Sequence, residues 1–231
     1  MGFDHRHFAN GEDLAAALAK TVAADLVAGI SVHGAASMVV SGGTTPKRFF
    51  ALLSQADLDW SRVSVTLADE RWVDENNARS NAALVRRTLL QNRAALANFV
   101  PLFGGGAEPN ADKLAAQAAG VIAMPHPFDA VVLGMGADGH TASFFPDSGQ
   151  LNDALTSAGP LVALTAPGAA EPRVTLTLPA LLDARRLYLH IEGAEKAKTL
   201  LLAQKTGPAE AMPVRAVLRQ TTVPLAVYSC P

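Results

Sequence analysis

An acid and a histidine one glycine apart, Asp138 and His140, are the residues of this sequence best placed to do chemistry. They follow an apolar run, Phe128–Leu133, through the break Gly134-Met135-Gly136-Ala137. An imidazole titrates near neutral pH and can take up and return a proton. The crevice beyond the carboxyl ends of the strands is where open α/β sheets bind ligands, and glycines let backbone amides approach a ligand closely. A lone histidine is commonly structural, but the Asp-Gly-His spacing behind two glycines favours a functional reading. Gly134 to Gly139 also matches G-x-G-x-x-G. A dinucleotide fingerprint must open a helix, whereas Pro146 and a Ser/Gly-rich turn interrupt this one, so no such cofactor site is expected.

A second candidate lies earlier, in Ser41-Gly42-Gly43-Thr44-Thr45-Pro46-Lys47, after the short apolar run Ala36–Val40. This reads as strand, glycine loop and helix, with Thr44 or Thr45 as cap and Pro46 at the first helical position. Free amides and the helix dipole can hold an anion there; an ordinary βα turn has the same composition. It is not a Walker loop, because the G-x-x-x-x-G-K-[ST] spacing is absent. Asp69-Glu70-Arg71 closes the apolar run Arg62–Ala68, and from spacing alone it reads as a solvated corner. Lys196 falls in a first helical turn, where a cation opposes the dipole, and its default reading is a solvated lysine.

The elements that must position these groups follow from periodicity. Glu12–Gly29 has helical spacing (Leu14, Leu18, Val22, Leu26), with Asn10 as cap and Gly29 as stop. Further helices are expected through Leu53, from Ser80 or Asn81 through Leu90 and beyond, over Asp112–Met124, around Lys196–Leu202 and over Pro213–Leu218. Strands are expected at Asn98–Leu102, Leu161–Thr165, Leu187–Ile191 and Leu225–Ser229, with Pro172–Pro179 a strand or an extended segment. Arg185-Arg186 reads as the solvated start of a strand. His190 is assigned to packing, and His5, His7, His33 and His126 to surface or packing. Alternating strands and helices specify an α/β fold with a mostly parallel sheet and helices on both faces. No linker or repeat divides residues 1–231, so a single domain is expected.

Composition narrows the function classes. With 231 residues, 49% of them hydrophobic, the chain can bury a large core. Nineteen basic residues against 21 acidic ones leave a formal charge of -2, without the basic stripe of a nucleic-acid binder. One cysteine, Cys230, excludes a disulfide framework and a cysteine zinc site, and agrees with a reducing cytoplasm. No signal-peptide core is seen, and no unbroken run reaches the roughly 18 apolar residues of a membrane helix.

Taken together, the segments resemble the 6-phosphogluconolactonase family. The resemblance is carried by Ser-Gly-Gly-Thr-Thr-Pro-Lys at 41–47, Asp-Glu-Arg at 69–71 with Ser80-Asn81, and Gly-Met-Gly-Ala-Asp-Gly-His-Thr-Ala-Ser-Phe-Phe-Pro at 134–146. Arg173-Val174-Thr175-Leu176-Thr177 and Gly193-Ala194-Glu195-Lys196-Ala197-Lys198 follow in the expected order. The wider superfamily includes glucosamine-6-phosphate deaminase. This chain has Asp-Glu-Arg where the deaminase has Asp-Glu-Tyr, and it lacks the deaminase's glutamate after the histidine. Phe144 replaces a common leucine, a packing change, and Asp74-Glu75-Asn76-Asn77 lacks the proline and histidine often seen there.

The resemblance implies a Rossmann-like, deaminase-type open sheet and hydrolysis of 6-phosphoglucono-1,5-lactone, the second step of the pentose phosphate pathway, with no cofactor and no metal. It implies His140 as proton acceptor and donor, and Asp138 shaping the loop or orienting the histidine or substrate. Arg71 would donate to the developing oxyanion, and Asp69 would order Arg71 or bind sugar hydroxyls. The substrate phosphate would lie on Gly42, Gly43, Thr44 and Thr45, closed over by Arg173 and Lys196. The implied partner is a small sugar-phosphate lactone rather than nucleic acid or membrane, in a cytoplasmic monomer or small homo-oligomer. The rivals are an amino-sugar-phosphate isomerase/deaminase and a non-catalytic sugar-phosphate sensor.

Overall fold

Asn10 starts the first helix by accepting the amides of Glu12 and Asp13, both at 2.9 Å, on its side-chain oxygen. Two acids in the first turn complement the helix dipole. The computed structural model describes residues 2–166, 169 and 171–231. In chain order the elements are β1 (Asp4–His7), α1 (Gly11–His33), β2 (Ala36–Val40), α2 (Lys47–Leu53), β3 (Val63–Leu67), β4 (Asp69–Arg71), α3 (Asn81–Thr88), β5 (Asn98–Val100) and α4 (Ala111–Ile122). They continue with β6 (Ala130–Leu133), α5 (Leu151–Thr156), β7 (Leu161–Thr165), β8 (Pro172–Leu176), α6 (Leu178–Leu182), β9 (Leu187–Glu192), α7 (Ala194–Ala203), α8 (Val214–Arg219) and β10 (Leu225–Cys230).

Seven strands form one parallel sheet in the order β1-β10-β9-β6-β2-β3-β5. The residues of β2 and β6 are buried throughout, as are the first five of β9. Strands buried on both sides need helices on both faces, so the expected α/β architecture is the observed one. Strands β4, β8 and β7 form a second, antiparallel sheet of three.

Five expectations need correction. Residues 4–7, all polar and without an apolar period, form an edge strand: Asp4 pairs with Ala226 and His7 with Ser229. His5 Nε2 and His7 Nδ1 lie 2.9 and 3.2 Å from the Ser229 hydroxyl. The first helix does not stop at Gly29 but runs to His33, with Gly34 closing it through a bond to the Ile30 carbonyl at 2.9 Å. Neither Thr44 nor Thr45 caps α2; Pro46 holds the cap position with no side-chain bond. Leu151–Thr156, which carries no clear period, is a short helix, and α3 ends at Thr88 rather than beyond Leu90.

Among the described residues, α1 is the one helix long and apolar enough to cross a bilayer by length and composition. Here Leu14, Leu18, Val22 and Leu26 are wholly buried in the core. Gly29 lies in mid-helix because a carboxylate packs on it. A Cβ there would lie 2.4 Å from Asp129 Oδ1. Asp129 is itself buried, accepting the Ser37 amide at 2.8 Å and facing Arg185 Nε at 3.3 Å.

Glycine to alanine inside a helix ordinarily stabilises by about 1 kcal/mol. Gly29→Ala should instead lower the melting temperature, because the added methyl collides with a carboxylate that cannot leave Ser37. Thermal unfolding checks this, and a variant at least as stable as its parent would disprove the close packing.

Candidate active site

The cleft lies at the carboxyl ends of β2, β6 and β9, where the loops after these strands converge with β4 and β8. A polar cavity of about 240 Å³ is lined by the glycine loop, Asp69, Arg71, His140, Arg173 and Lys196, among others. Of the ten site residues expected from sequence, nine line it; Asp138 stands behind His140 rather than in the wall.

His140 is placed by the loop after β6. Gly136 donates to the His140 carbonyl at 2.9 Å and Gly139 donates to the Gly136 carbonyl at 3.1 Å. The imidazole covers Gly136 so closely that a Cβ there would lie 2.2 Å from Nδ1 and Cε1. Asp138 Oδ1 receives both the His140 amide, at 3.1 Å, and His140 Nδ1, at 2.6 Å. The bond from His140 holds the Asp138 carboxyl below the usual carboxylate range. An ionised acceptor on Nδ1 fixes the proton there and leaves Nε2 as the basic nitrogen. Among the described residues, Nε2 has no protein partner. Phe145 packs against the imidazole, with ring centroids 4.6 Å apart.

The charged triplet is not a solvated corner. Glu70 is fully buried and Asp69 nearly so. Glu70 Oε1 accepts the amides of Arg71 at 2.8 Å and Asn81 at 2.7 Å; Oε2 accepts the Ala82 amide at 2.7 Å and the Ser80 hydroxyl at 3.1 Å. Burial pushes its pKa up, and the three amides pull it back. Local spacing missed this because the donors arrive from the start of α3, ten residues on. Ser80-Asn81 was the available signal: Ser80 also caps α3, accepting the Ala83 amide at 3.1 Å. Asn81 donates to the Asp69 carbonyl at 2.9 Å and fills the space beside Gly42, where a Cβ would lie 1.9 Å from its oxygen.

Asp69 accepts the Ser143 hydroxyl at 2.6 Å and stands 3.9 Å from Arg173 Nη1. It therefore faces Arg173, whereas Arg71 is held by the Arg79 carbonyl. Arg71 and Arg173 sit directly opposite one another across the β4–β8 pair. Each keeps a buried Nε with no protein acceptor among the described residues. Arg173 also lies over the Phe145 ring, 5.6 Å from its centroid. Burial lowers the pKa of Arg173, though a guanidinium stays charged.

Opposite them, Lys196 donates to the Thr45 hydroxyl at 3.1 Å, and burial lowers its pKa. Thr45 thus serves the lysine, not the helix. The amides of Gly42, Gly43, Thr44 and Thr45 donate to no protein acceptor among the described residues. Three cations and four unengaged amides around one carboxylate make a cavity suited to an anion. No cluster of three or more metal-binding side chains occurs among the described residues.

The Asp138–His140 bond has a pH signature. A depressed carboxyl pKa stabilises the fold above the unfolded value of about 4, and that stabilisation is lost as pH falls through the folded value. Asp138→Asn should therefore be less stable than its parent near neutrality, and the gap should close below about pH 4. Denaturant titrations in both ranges measure it; an equal gap in both would remove this bond from the fold.

Residues 9–225 match the model of the family described as glucosamine-6-phosphate isomerases/6-phosphogluconolactonase. The chain is 49% identical over 227 residues to a 6-phosphogluconolactonase of Rhizobium meliloti, covering 97% of each protein. It is 46% identical over 228 residues to one from Mesorhizobium japonicum, covering 97% of this chain and 94% of the relative. The crystal structure of a 6-phosphogluconolactonase from Shewanella baltica superimposes with a TM-score of 0.96 at 41% identity, covering 100% of this chain and 98% of that one. A nearly full-length match, on the fold and cleft described above, places this chain in the glucosamine-6-phosphate isomerase/6-phosphogluconolactonase family.

Proposed function

We propose that this chain hydrolyses 6-phosphoglucono-1,5-lactone to 6-phosphogluconate in the oxidative pentose phosphate pathway, with water activated by His140. One observation carries this reading: a histidine whose Nδ1 is anchored to Asp138 lies in the same cavity as Arg71, Arg173 and Lys196. Similarity to lactonases over nearly the full chain supports the substrate.

In this mechanism His140 Nε2 takes a proton from water as its oxygen attacks the lactone carbonyl carbon. The carbonyl electrons move to oxygen, and Arg71 donates to the oxyanion, a contribution of about 3 kcal/mol for a well-placed donor. The tetrahedral intermediate collapses, the bond from carbon to ring oxygen breaks, and His140 returns the proton to that oxygen. The products are a carboxylic acid, ionised near neutrality, and a hydroxyl. Only water is consumed. The phosphate lies on the amides of Gly42, Gly43, Thr44 and Thr45, with Arg173 and Lys196 closing over it, which orients the distant lactone carbon. Asp69 positions Arg173 and faces the sugar hydroxyls.

The amino-sugar-phosphate deaminase reading is disfavoured because the residues following His140, Thr141 to Phe145, supply no carboxylate. We further propose a cytoplasmic monomer or small homo-oligomer acting on the free metabolite, without nucleic acid or membrane.

Lactone hydrolysis, followed by proton release with the spontaneous rate subtracted, tests the reading. His140→Ala should lower kcat by about 100- to 10,000-fold, the usual weight of general acid–base catalysis, with 6-phosphogluconate still bound. Activity equal to the parent would exclude His140 from the reaction. Arg173→Ala and Lys196→Ala should each raise KM by roughly tenfold or more, since each loses a charge-assisted bond. An unchanged KM in both would mean that the phosphate lies elsewhere.

A further inference from the structure

Beneath the glycine loop lies a small, largely apolar pocket that shares Ser41, Gly42, Thr45 and Gly134 with the wall of the larger cavity. His190 sits near the end of β9, beside Gly134 and below Ser41, Thr45 and Pro46. It is 2% exposed. Its Nε2 is 2.9 Å from Glu192 Oε1, and this bond is the main reason that the Glu192 carboxyl is held below the usual range. Glu192 also faces Arg48 Nη1 at 3.7 Å, on the first turn of α2. Phe49 of the same turn meets the imidazole edge-on, with centroids 6.2 Å apart.

Two buried polar atoms here have no protein partner among the described residues: Ser41 Oγ and His190 Nδ1. Both residues line the same small space, which offers about 10 Å³ to the centre of a water molecule. That is about the room one water needs, and a buried water needs at least two polar partners. A water meets Nδ1 in either protonation state, donating to a bare nitrogen or accepting from a protonated one.

We propose that a single buried water binds between Ser41 Oγ and His190 Nδ1, and that His190 is a positioning residue of the phosphate subsite. It holds the glycine loop from below through this water, and it holds the start of α2 through Glu192 and Arg48. Ser41 begins the loop whose next four residues carry the phosphate-facing amides. The proposal rests on the assignment of those amides to phosphate, made above. It adds that their placement depends on a side chain on another strand that never touches substrate.

The experiment combines a high-resolution crystal structure with calorimetry of inorganic phosphate binding to the parent, Ser41→Ala, His190→Leu and the double variant. The parent should show an ordered water within hydrogen-bond distance of both atoms. Each single variant should bind phosphate about tenfold more weakly, the weight of one buried hydrogen bond. The double variant should bind no more weakly than the weaker single one, because either substitution already removes the water. A role in stability alone would lower melting temperatures without moving the phosphate Kd. An unoccupied pocket in the parent, an unchanged Kd in Ser41→Ala, or fully additive losses would each overturn the proposal. A parent that binds phosphate but turns over no lactone would overturn the lactonase reading and leave this one standing. A parent that binds no phosphate would overturn both.

Discussion

Glu70 brings a whole carboxyl group into the protein interior, and the structure around the site follows from how that group is met. Burying such a group alone would be prohibitive. The amides of Arg71, Asn81 and Ala82 and the Ser80 hydroxyl converge on its two oxygens instead. Two of these amides belong to the start of α3, where the helix dipole also favours a negative charge. The consequence is geometric. Strand β4 and helix α3 cannot shift against one another without stranding a buried charge. Asn81, fixed in this way, holds the Asp69 carbonyl and defines the space beside Gly42. Arg71, the next residue after Glu70, is presented to the cavity. One carboxylate thus sets two walls of the cleft without touching anything in it.

The opposition of Arg71 and Arg173 is unfavourable by itself, since like charges directly across a strand pair repel. The fold reduces the repulsion without removing it. Asp69 approaches Arg173, Phe145 offers its ring face, and the Arg79 carbonyl takes part of Arg71. What remains is an unmet demand for negative charge in one corner of the cavity. Natural sequences tolerate such conflicts chiefly where function resolves them. Phe145 contacts both His140 and Arg173, so the histidine side and the cationic side of the cleft share one aromatic surface.

Much of this fold was legible in the sequence, because strands buried on both faces read as plain apolar runs and α1 keeps its apolar residues four apart. What escaped was short, charged or dependent on distant partners. Strand β1, Asp-His-Arg-His, has every side chain exposed and owes its conformation to β10. Strand β4 is three charged residues whose partner, β8, comes a hundred positions later. Gly29 read as a helix stop because only the folded chain brings Asp129 onto it. Within the site, Asp138, His140 and the glycine loop were visible as residues packed together in sequence. The roles of Glu70, Ser143 and Phe145 were not, since each depends on an element that sequence order places elsewhere.

The place of β10 in the sheet has a consequence for how the protein is made. It lies between β9 and β1, so Arg6 meets Tyr228 across 222 residues of chain. Contacts this distant in sequence form slowly, because the loop must close before the pairing rewards it. On a ribosome, β1 emerges before the other strands described here and must wait for some 222 further residues before it has its neighbour. The Cys230 carbonyl, at the end of β10, accepts the Gly193 amide at 3.2 Å, and Gly193 opens the helix that carries Lys196. A nascent chain can therefore assemble the loops after β2 and β6 early, but the lysine wall of the cleft is set only when the last strand slides in between its two neighbours. The cleft and the sheet are completed by the same event, so a chain stalled short of that strand would carry the histidine without the full charge environment it works in.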